Sequence, residues 1–384
     1  MVDTIILTLP YGRFMIMKPD NFTPAARELR NIRAVFMKFY NNPSAESKRL
    51  GIYNPRLTLY KRGGTYELKI EFSAPKLIYK NNLQELTSKQ FEQLVEILQR
   101  KMEAMGVWVT KPALKEATVT SFHPSKNIPI NGGYSAVGAI KEISKINLTG
   151  KLDLDKTKFR NDGHSLQFYA KSHALVFYDK MQDLEKTEKR SLGKDQKLQQ
   201  QSLFDFLKKD KRPEILRVEV RLSEKQKMND VLQKLGYSKN PTFQDIFKTK
   251  VCQKVLQYYY DTYIIPNLFV FDLSNDPQAI LKRLLRSNKK IKIKQAVYLV
   301  GLWLLCKDEG IRTLRKVVQP TKQKIRNWQR IAGHFKDLNA LARIDRSHSF
   351  IKDIRDSFKK FEPYKFEDVP LEPKPKPFDP WQYH

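Results

Sequence analysis

The chain has 384 residues, 41% of them apolar, and 71 Lys plus Arg against 41 Asp plus Glu give a formal net charge of +30. That length carries two domains or one large domain with additions, and that excess of charge calls for a polyanion, nucleic acid first and an anionic membrane surface second. Cys252 and Cys306 match no metal-ligand spacing or disulfide framework, the start lacks a basic signal-peptide n-region, and the longest apolar run, Ala296 to Cys306, is too short for a bilayer, so the expectation is a cytoplasmic protein without a membrane segment.

In chain order, Val2 to Leu9 alternates like a strand, and Pro24 to Tyr40 reads as a helix carrying Arg27, Arg30, Arg33 and Lys38. Arg56 to Arg62 and Tyr66 to Ser73 flank Gly63-Gly64, the strongest turn signal in the chain, and predict a hairpin. After Ser73-Ala-Pro-Lys76 and Lys80, Thr87 or Ser88 caps a helix in which Phe91, Leu94, Val95 and Leu98 recur at helical spacing. Leu114 to Phe122 is a further strand, His123-Pro-Ser-Lys-Asn a loop, and Tyr134 to Ile146 a helix.

Leu166 to Tyr169 and Ala174 to Phe177 predict a second hairpin about the polar Lys171-Ser172-His173. Period-two alternation puts Val176, Tyr178 and Lys180 on one face, and a phenol beside an ammonium on an open sheet face is the chemistry of a nucleophile aimed at a DNA phosphodiester. Residues 184–213, dense in Lys, Gln and Glu without periodicity, read as a flexible basic surface insertion. Ile215 to Leu222 alternates strictly, with Leu216, Val218, Val220 and Leu222 inward and Arg217, Glu219 and Arg221 outward, before a helix that ends at Gly236.

Residues 1–236 thus predict an α+β domain, a mostly antiparallel open sheet with helices on one face and the other face free for chemistry. Residues 237–360 read as a second, all-α domain, and 361–384, with Glu-Pro-Lys-Pro-Lys-Pro, as a disordered Pro-rich tail. In the helical domain Lys322, Arg326 and Arg330, four apart, form a basic stripe able to lie along a DNA groove as in a helix-turn-helix. Paired exposed stacking aromatics of an RNA-binding module and a Walker-type loop are both missing from the sequence.

The Met1-Val-Asp-Thr-Ile-Ile-Leu-Thr-Leu-Pro start, the Tyr66 to Lys76 strand, Ala174-Leu-Val-Phe-Tyr178-Asp-Lys180, Leu216-Arg-Val-Glu219-Val-Arg-Leu222 and the terminal helix-turn-helix-like region occur in an order and spacing that resembles the replication initiator nickases of filamentous phages and related rolling-circle plasmids, relatives of the HUH endonucleases. The resemblance implies Tyr178 as nucleophile, with Tyr169 the alternative, and Lys180, Arg217 and Arg221 as added positive charge. It implies Glu219 with Glu116 or His123 as ligands of Mg²⁺ or Mn²⁺, although the paired histidines of standard HUH enzymes are missing and the odd separation of Glu116 and His123 keeps them from sharing a site on one regular strand. It also implies Lys76, Lys80, Lys322, Arg326 and Arg330 as contacts to duplex origin DNA, single-stranded DNA as the cut form, a host helicase and polymerase as followers, and a possible homodimer. The rival expectation is a non-enzymatic origin-binding initiator or repressor, separated from the first by whether Tyr178, Glu219 and Glu116 or His123 meet in one pocket.

Overall fold

The structure, a computed structural model, describes residues 1–27, 36–49, 52–79, 81–146, 152–160, 163–185, 213–274, 276–319 and 325–365. Its strands in chain order are β1 (Val2–Pro10), β2 (Met15–Ile16), β3 (Phe36–Asn41), β4 (Arg56–Arg62), β5 (Thr65–Ser73), β6 (Val107–Trp108), β7 (Thr118–Pro129), β8 (Asp153–Arg160), β9 (Ser165–Tyr169), β10 (His173–Asp179) and β11 (Ile215–Leu222). Nine of them form one sheet in the order β3-β4-β5-β1-β7-β11-β10-β9-β8, antiparallel at every pairing. The α+β class and the antiparallel sheet are as the alternation predicts.

Alternation also decides which face is covered. Ile5, Leu7 and Leu9 of β1, Leu57 and Leu59 of β4, Leu175 and Phe177 of β10 and Val218 and Val220 of β11 point to one side and are buried in a single core. The other half of that core is the apolar stripe of five helices: Phe91–Ala104 (Leu94, Leu98), Ala136–Ile143 (Ile140), Lys225–Lys234 (Val231), Thr249–Tyr259 (Val255) and Ser349–Lys360 (Phe350, Ile354). Each such side chain, fully buried, contributes about 1.5–3 kcal/mol. The alternate residues, among them Thr4, Arg56, Tyr60, Glu71, His123, Tyr178 and Glu219, point to the opposite face.

Three elements depart from the sequence reading. Phe36–Asn41 is strand, not the end of a helix over Pro24 to Tyr40: Phe39 and Asn41 are buried while Phe36 and Tyr40 are exposed, a period of two that satisfies the edge of β4. The remainder of that expected helix, 28–35, lies outside the described residues. The expected loop from His123 to Asn127 is strand as well, because β7 runs on to Pro129 through a register shift at Val2/Thr4 that accommodates Pro124. Its polar residues are buried but paired: Lys126 Nζ lies 2.5 Å from Glu85, the Asn127 N–H donates to Glu85 at 2.6 Å, and Asn127 Nδ2 donates to the Leu83 carbonyl at 2.6 Å. The first residues of the strand expected from Leu114 are instead a short helix, Lys111–Lys115, capped by Thr110.

Packing does not divide the chain at Gly236. Thr249–Tyr259 and Ser349–Lys360 belong to the sheet's core, and a second core gathers Phe269, Ile280, Leu299, Trp303, Ile311, Trp328 and Leu338. The junction is tight at Gly310, where φ is +84° and a Cβ would come 2.8 Å from Lys145 Cα, while the Ile311 N–H donates to the Lys145 carbonyl at 2.8 Å. Most of the expected insertion, 186–212, and of the expected tail, 366–384, lies outside the described residues. Among the described residues no helix is long and apolar enough to cross a membrane.

Candidate active site

Four neighbouring strands, β1, β7, β11 and β10, bring the site together on the uncovered face. In the β10–β11 register Tyr178 stands opposite Arg217 and Val176 opposite Glu219, so the Tyr178 and Glu219 side chains are diagonal neighbours on one face. The Tyr178 hydroxyl donates to Glu219 Oε2 at 3.1 Å. Arg221 Nε donates to Glu219 Oε1 at 2.8 Å, and His123 Nδ1, from β7, lies 3.6 Å from the same oxygen. These groups border a cleft of about 820 Å³ whose walls include Asp3, Tyr53, Arg56, Glu71, Lys76, Tyr169 and Asp183.

The electrostatics follow from burial and charge. Glu219 is 3% exposed, yet Arg221, His123 and Arg217 overcome the burial penalty and hold its carboxyl at about 2, so it is ionised at neutral pH. Burial lowers the His123 imidazole below its ordinary value despite Glu219, so it is neutral at pH 7 and adds charge beside Glu219 only at lower pH. Burial, and then the Glu219 charge, push the Tyr178 phenol well above its ordinary value, with Arg217 opposing. The phenol is therefore a protonated donor in the free protein, 7% exposed, with Lys180 Nζ 5.7 Å and Arg217 Cζ 6.0 Å from its ring centroid. Two cations near a π face favour the phenolate as it forms.

The residues expected from the sequence divide into three groups. Tyr178, Glu219, His123, Arg221 and Lys76 border one cleft, and so does Tyr169, which packs on Ala174, Val176 and Tyr178. Arg217 and Lys180 are close but behind the wall. Arg217 is 1% exposed and bonded to Asp3 at 2.9 Å, Ser125 at 2.8 Å and the Asn82 carbonyl at 2.7 Å, so it is sealed off from the cleft and from solvent. Lys180, fully buried, donates to Asn82 Oδ1 at 2.7 Å and Asp183 at 3.2 Å, and desolvation lowers it to about 8.

Glu116 stands apart. It caps the helix before β7, pairs with Arg13 at 3.2 Å, and lies beyond Thr118, whose partner on β1 is Thr8, whereas His123 is paired with Thr4. The strand from Thr118 to His123, five residues on and roughly 17 Å, lies between Glu116 and the cleft. Arg326 and Arg330 are exposed on the helix Ile325–Gly333, around a buried Trp328, and Lys80 and Lys322 lie outside the described residues.

The sequence reading passed over Asp3, Ser73, Asn82, Ser125 and Asp183. Asp3 accepts from Ser73 Oγ at 2.8 Å as well as pairing with Arg217, and so fixes the guanidinium under Tyr178. An acid inside an otherwise apolar first strand was the available signal. Asn82 lies in irregular chain, where nothing in its neighbours marks it.

Of the two expected pairings, Glu219 meets His123 and not Glu116, and among the described residues no three His, Cys, Asp or Glu converge. An ionised Glu219 and a neutral His123 remain as a pair of donors facing the cleft. Mg²⁺ takes one or two protein ligands and completes its shell with water or other oxygens, so two donors facing a cleft fit such an ion only if a ligand or water supplies the rest. The chain matches no protein-family model, no curated protein and no solved structure.

Proposed function

We propose that the protein is a DNA nicking-joining enzyme that initiates rolling-circle replication, with Tyr178 as its nucleophile. The observation that carries this reading is the meeting of Tyr178, Glu219, His123 and Arg221 in one cleft on the uncovered sheet face.

The residues account for the chemistry as follows. In the free protein Arg221 holds Glu219 at a low pKa, and a carboxylate so held is a weak base. Arg221 is also the partly exposed member of that pair, 35% by side chain, so a phosphate entering the cleft competes for its guanidinium. Losing that partner makes Glu219 more basic at the moment the phosphate arrives. Glu219 then takes the Tyr178 proton, the phenolate oxygen bonds to phosphorus, the P–O3′ bond breaks, and the 3′ oxygen takes a proton from water. The products are a 5′-phosphotyrosine and a free 3′-OH; attack by a 3′-OH on the phosphotyrosine reverses the step and rejoins the strand without ATP. Alternatively, Mg²⁺ or Mn²⁺ held by Glu219 and His123 would supply charge to the non-bridging oxygens, and Glu219 would then not be free to take the Tyr178 proton. Arg326 and Arg330, with Lys322, would hold the duplex origin, and a helicase and polymerase would extend the primer.

The test is nicking of supercoiled plasmid carrying the element's own origin, by wild type and Tyr178→Phe, with and without Mg²⁺ or Mn²⁺. Open circles with protein covalently on the 5′ end, absent in the variant, support the reading. Origin binding without nicking in either metal would replace it with the non-enzymatic initiator, which the buried, protonated state of Tyr178 favours. Nicking that survives Tyr178→Phe would transfer the nucleophile to Tyr169.

A further inference from the structure

Along the same face, away from the cleft, the β3–β4–β5 end of the sheet collects aromatic rings and cations that no step above uses. Phe36 is 54% exposed and Tyr40 43% exposed, both on the edge strand β3. In register, Phe36 stands opposite Arg62, Lys38 opposite Tyr60, and Tyr40 opposite Thr58, whose other neighbour is Lys69. Phe36 and Tyr60 have ring centroids 6.4 Å apart. Around the Tyr60 ring stand Lys69 Nζ at 4.6 Å, Lys38 Nζ at 5.4 Å and Arg62 Cζ at 5.7 Å, and Lys38 Nζ is also 5.4 Å from Phe36. Glu67, opposite Tyr60 on β5, is the acid among them. The cations crowd one another: after desolvation, Arg62 and Lys38 lower the Lys69 ammonium, with Glu67 opposing.

We infer that this end of the sheet is a stacking platform for single-stranded DNA, which lays its bases on Phe36, Tyr60 and Tyr40 and its phosphates on Lys38, Arg62 and Lys69. The inference deepens the nicking reading and rests on it for the choice of DNA. Crowded cations call for a polyanion, and exposed rings between them call for one with free π faces; single strands offer both, whereas a duplex keeps its bases stacked inside. The platform joins the cleft along one strand. Arg56 borders the cleft, and Tyr60 lies on the same face of β4 four residues on, roughly 13 Å. A strand cut at Tyr178 thus has a continuous course across the open face to the β3 edge.

The experiment is fluorescence anisotropy with a labelled single-stranded oligonucleotide, its abasic counterpart and its duplex, on the full chain. Phe36→Ala and Tyr60→Ala are each expected to weaken single-strand binding roughly fivefold or more, and Tyr60→Phe to restore it. The abasic strand is expected to bind the wild type as weakly as the intact strand binds the alanine variants. Phe36 is exposed enough that its loss leaves the melting temperature unchanged, which separates lost stacking from lost folding. Unchanged affinity in a folded Phe36→Ala/Tyr60→Ala double variant, or equal affinity for intact and abasic strands, overturns the platform. Adduct formation by the wild type separates the two readings: single-strand affinity that depends on Phe36 and Tyr60, in a wild-type protein that forms no covalent adduct, upholds the platform and removes the nickase.

Discussion

Replacing Glu219 by glutamine removes one buried charge from the centre of the cleft with almost no change of shape, and its consequences are calculable. The carboxyl sits at about 2 in the folded protein against an ordinary value of 4.5, a depression of about 2.5. At 1.36 kcal/mol for each unit, that is about 3 kcal/mol of stability at pH 7. Because the folded pKa is the lower one, this stability is fully present above about 4.5 and is lost as the pH falls through about 2. Glu219→Gln should therefore be less stable than wild type by about 3 kcal/mol at pH 7, and the deficit should shrink to about 2 kcal/mol by roughly pH 3.5. Arg221 is part-exposed and re-solvates when its partner is lost, which makes the figure an upper value. The assay is urea unfolding of both proteins at the two pH values, read at matched m-values, beside plasmid nicking, which should fall by about 10²–10⁴-fold for a lost proton acceptor. A deficit below about 1 kcal/mol, or one that does not change with pH, would refute the claim that the cations around Glu219 hold it ionised.

The other expectations concern residues at increasing distance from Tyr178. Lys180, at about 8 when folded and 10.5 ordinarily, binds fewer protons folded than unfolded between those values, so wild-type stability should rise as the pH goes from about 8 to about 10. Lys180→Met should abolish that rise, on the order of 2 kcal/mol, measured by denaturant midpoints across that range. Glu116→Gln should leave nicking within roughly twofold of wild type, since the side chain is exposed and paired only with surface Arg13; a loss of tenfold or more would restore it to the site. Arg326→Ala with Arg330→Ala should weaken binding to the duplex origin and reduce its salt slope by about 2, leaving cleavage of a single-stranded oligonucleotide unchanged.

What was legible from the sequence is what alternation encodes. The strict pattern of Ile215 to Leu222 specified which residues of β11 face the helices, and it placed Glu219 and Arg221 on the same side as Tyr178 once the strands paired. Alternation reports sides, not solvent, and so Arg217 was misjudged: it faces away from the core but is sealed by Asp3, Ser125 and Asn82, which arrive from three separate parts of the chain. The His123 to Asn127 segment was misjudged for a related reason. Its proline and polar side chains have the composition of a loop, and only Glu85 and Leu83, some forty residues earlier, make burial of Lys126 and Asn127 affordable. Phe36–Asn41 failed differently, since basic residues upstream suggested a helical face where the pairing edge of β4 imposed a strand.

The ion pairs around the cleft are not equivalent, and the inequality bears on how the site works. Asp3 is closed off by Ser73 and Arg217, Glu85 by Lys126, and Lys180 by Asn82 and Asp183; the cationic partner in each is 0–4% exposed by side chain. Breaking any of these leaves a buried charge without a partner, which costs about 3–5 kcal/mol, so an incoming phosphate cannot recruit their cations. Arg221 is the exception, with one charge-bearing partner on its Nε and a third of its side chain open to the cleft. Its guanidinium has further donors to offer a phosphate in bidentate geometry before it releases Glu219 at all. If the nicking reading holds, recognition of the phosphate and activation of Tyr178 would be successive uses of one side chain, and the phenol would stay protonated, held by Glu219, until DNA is in place.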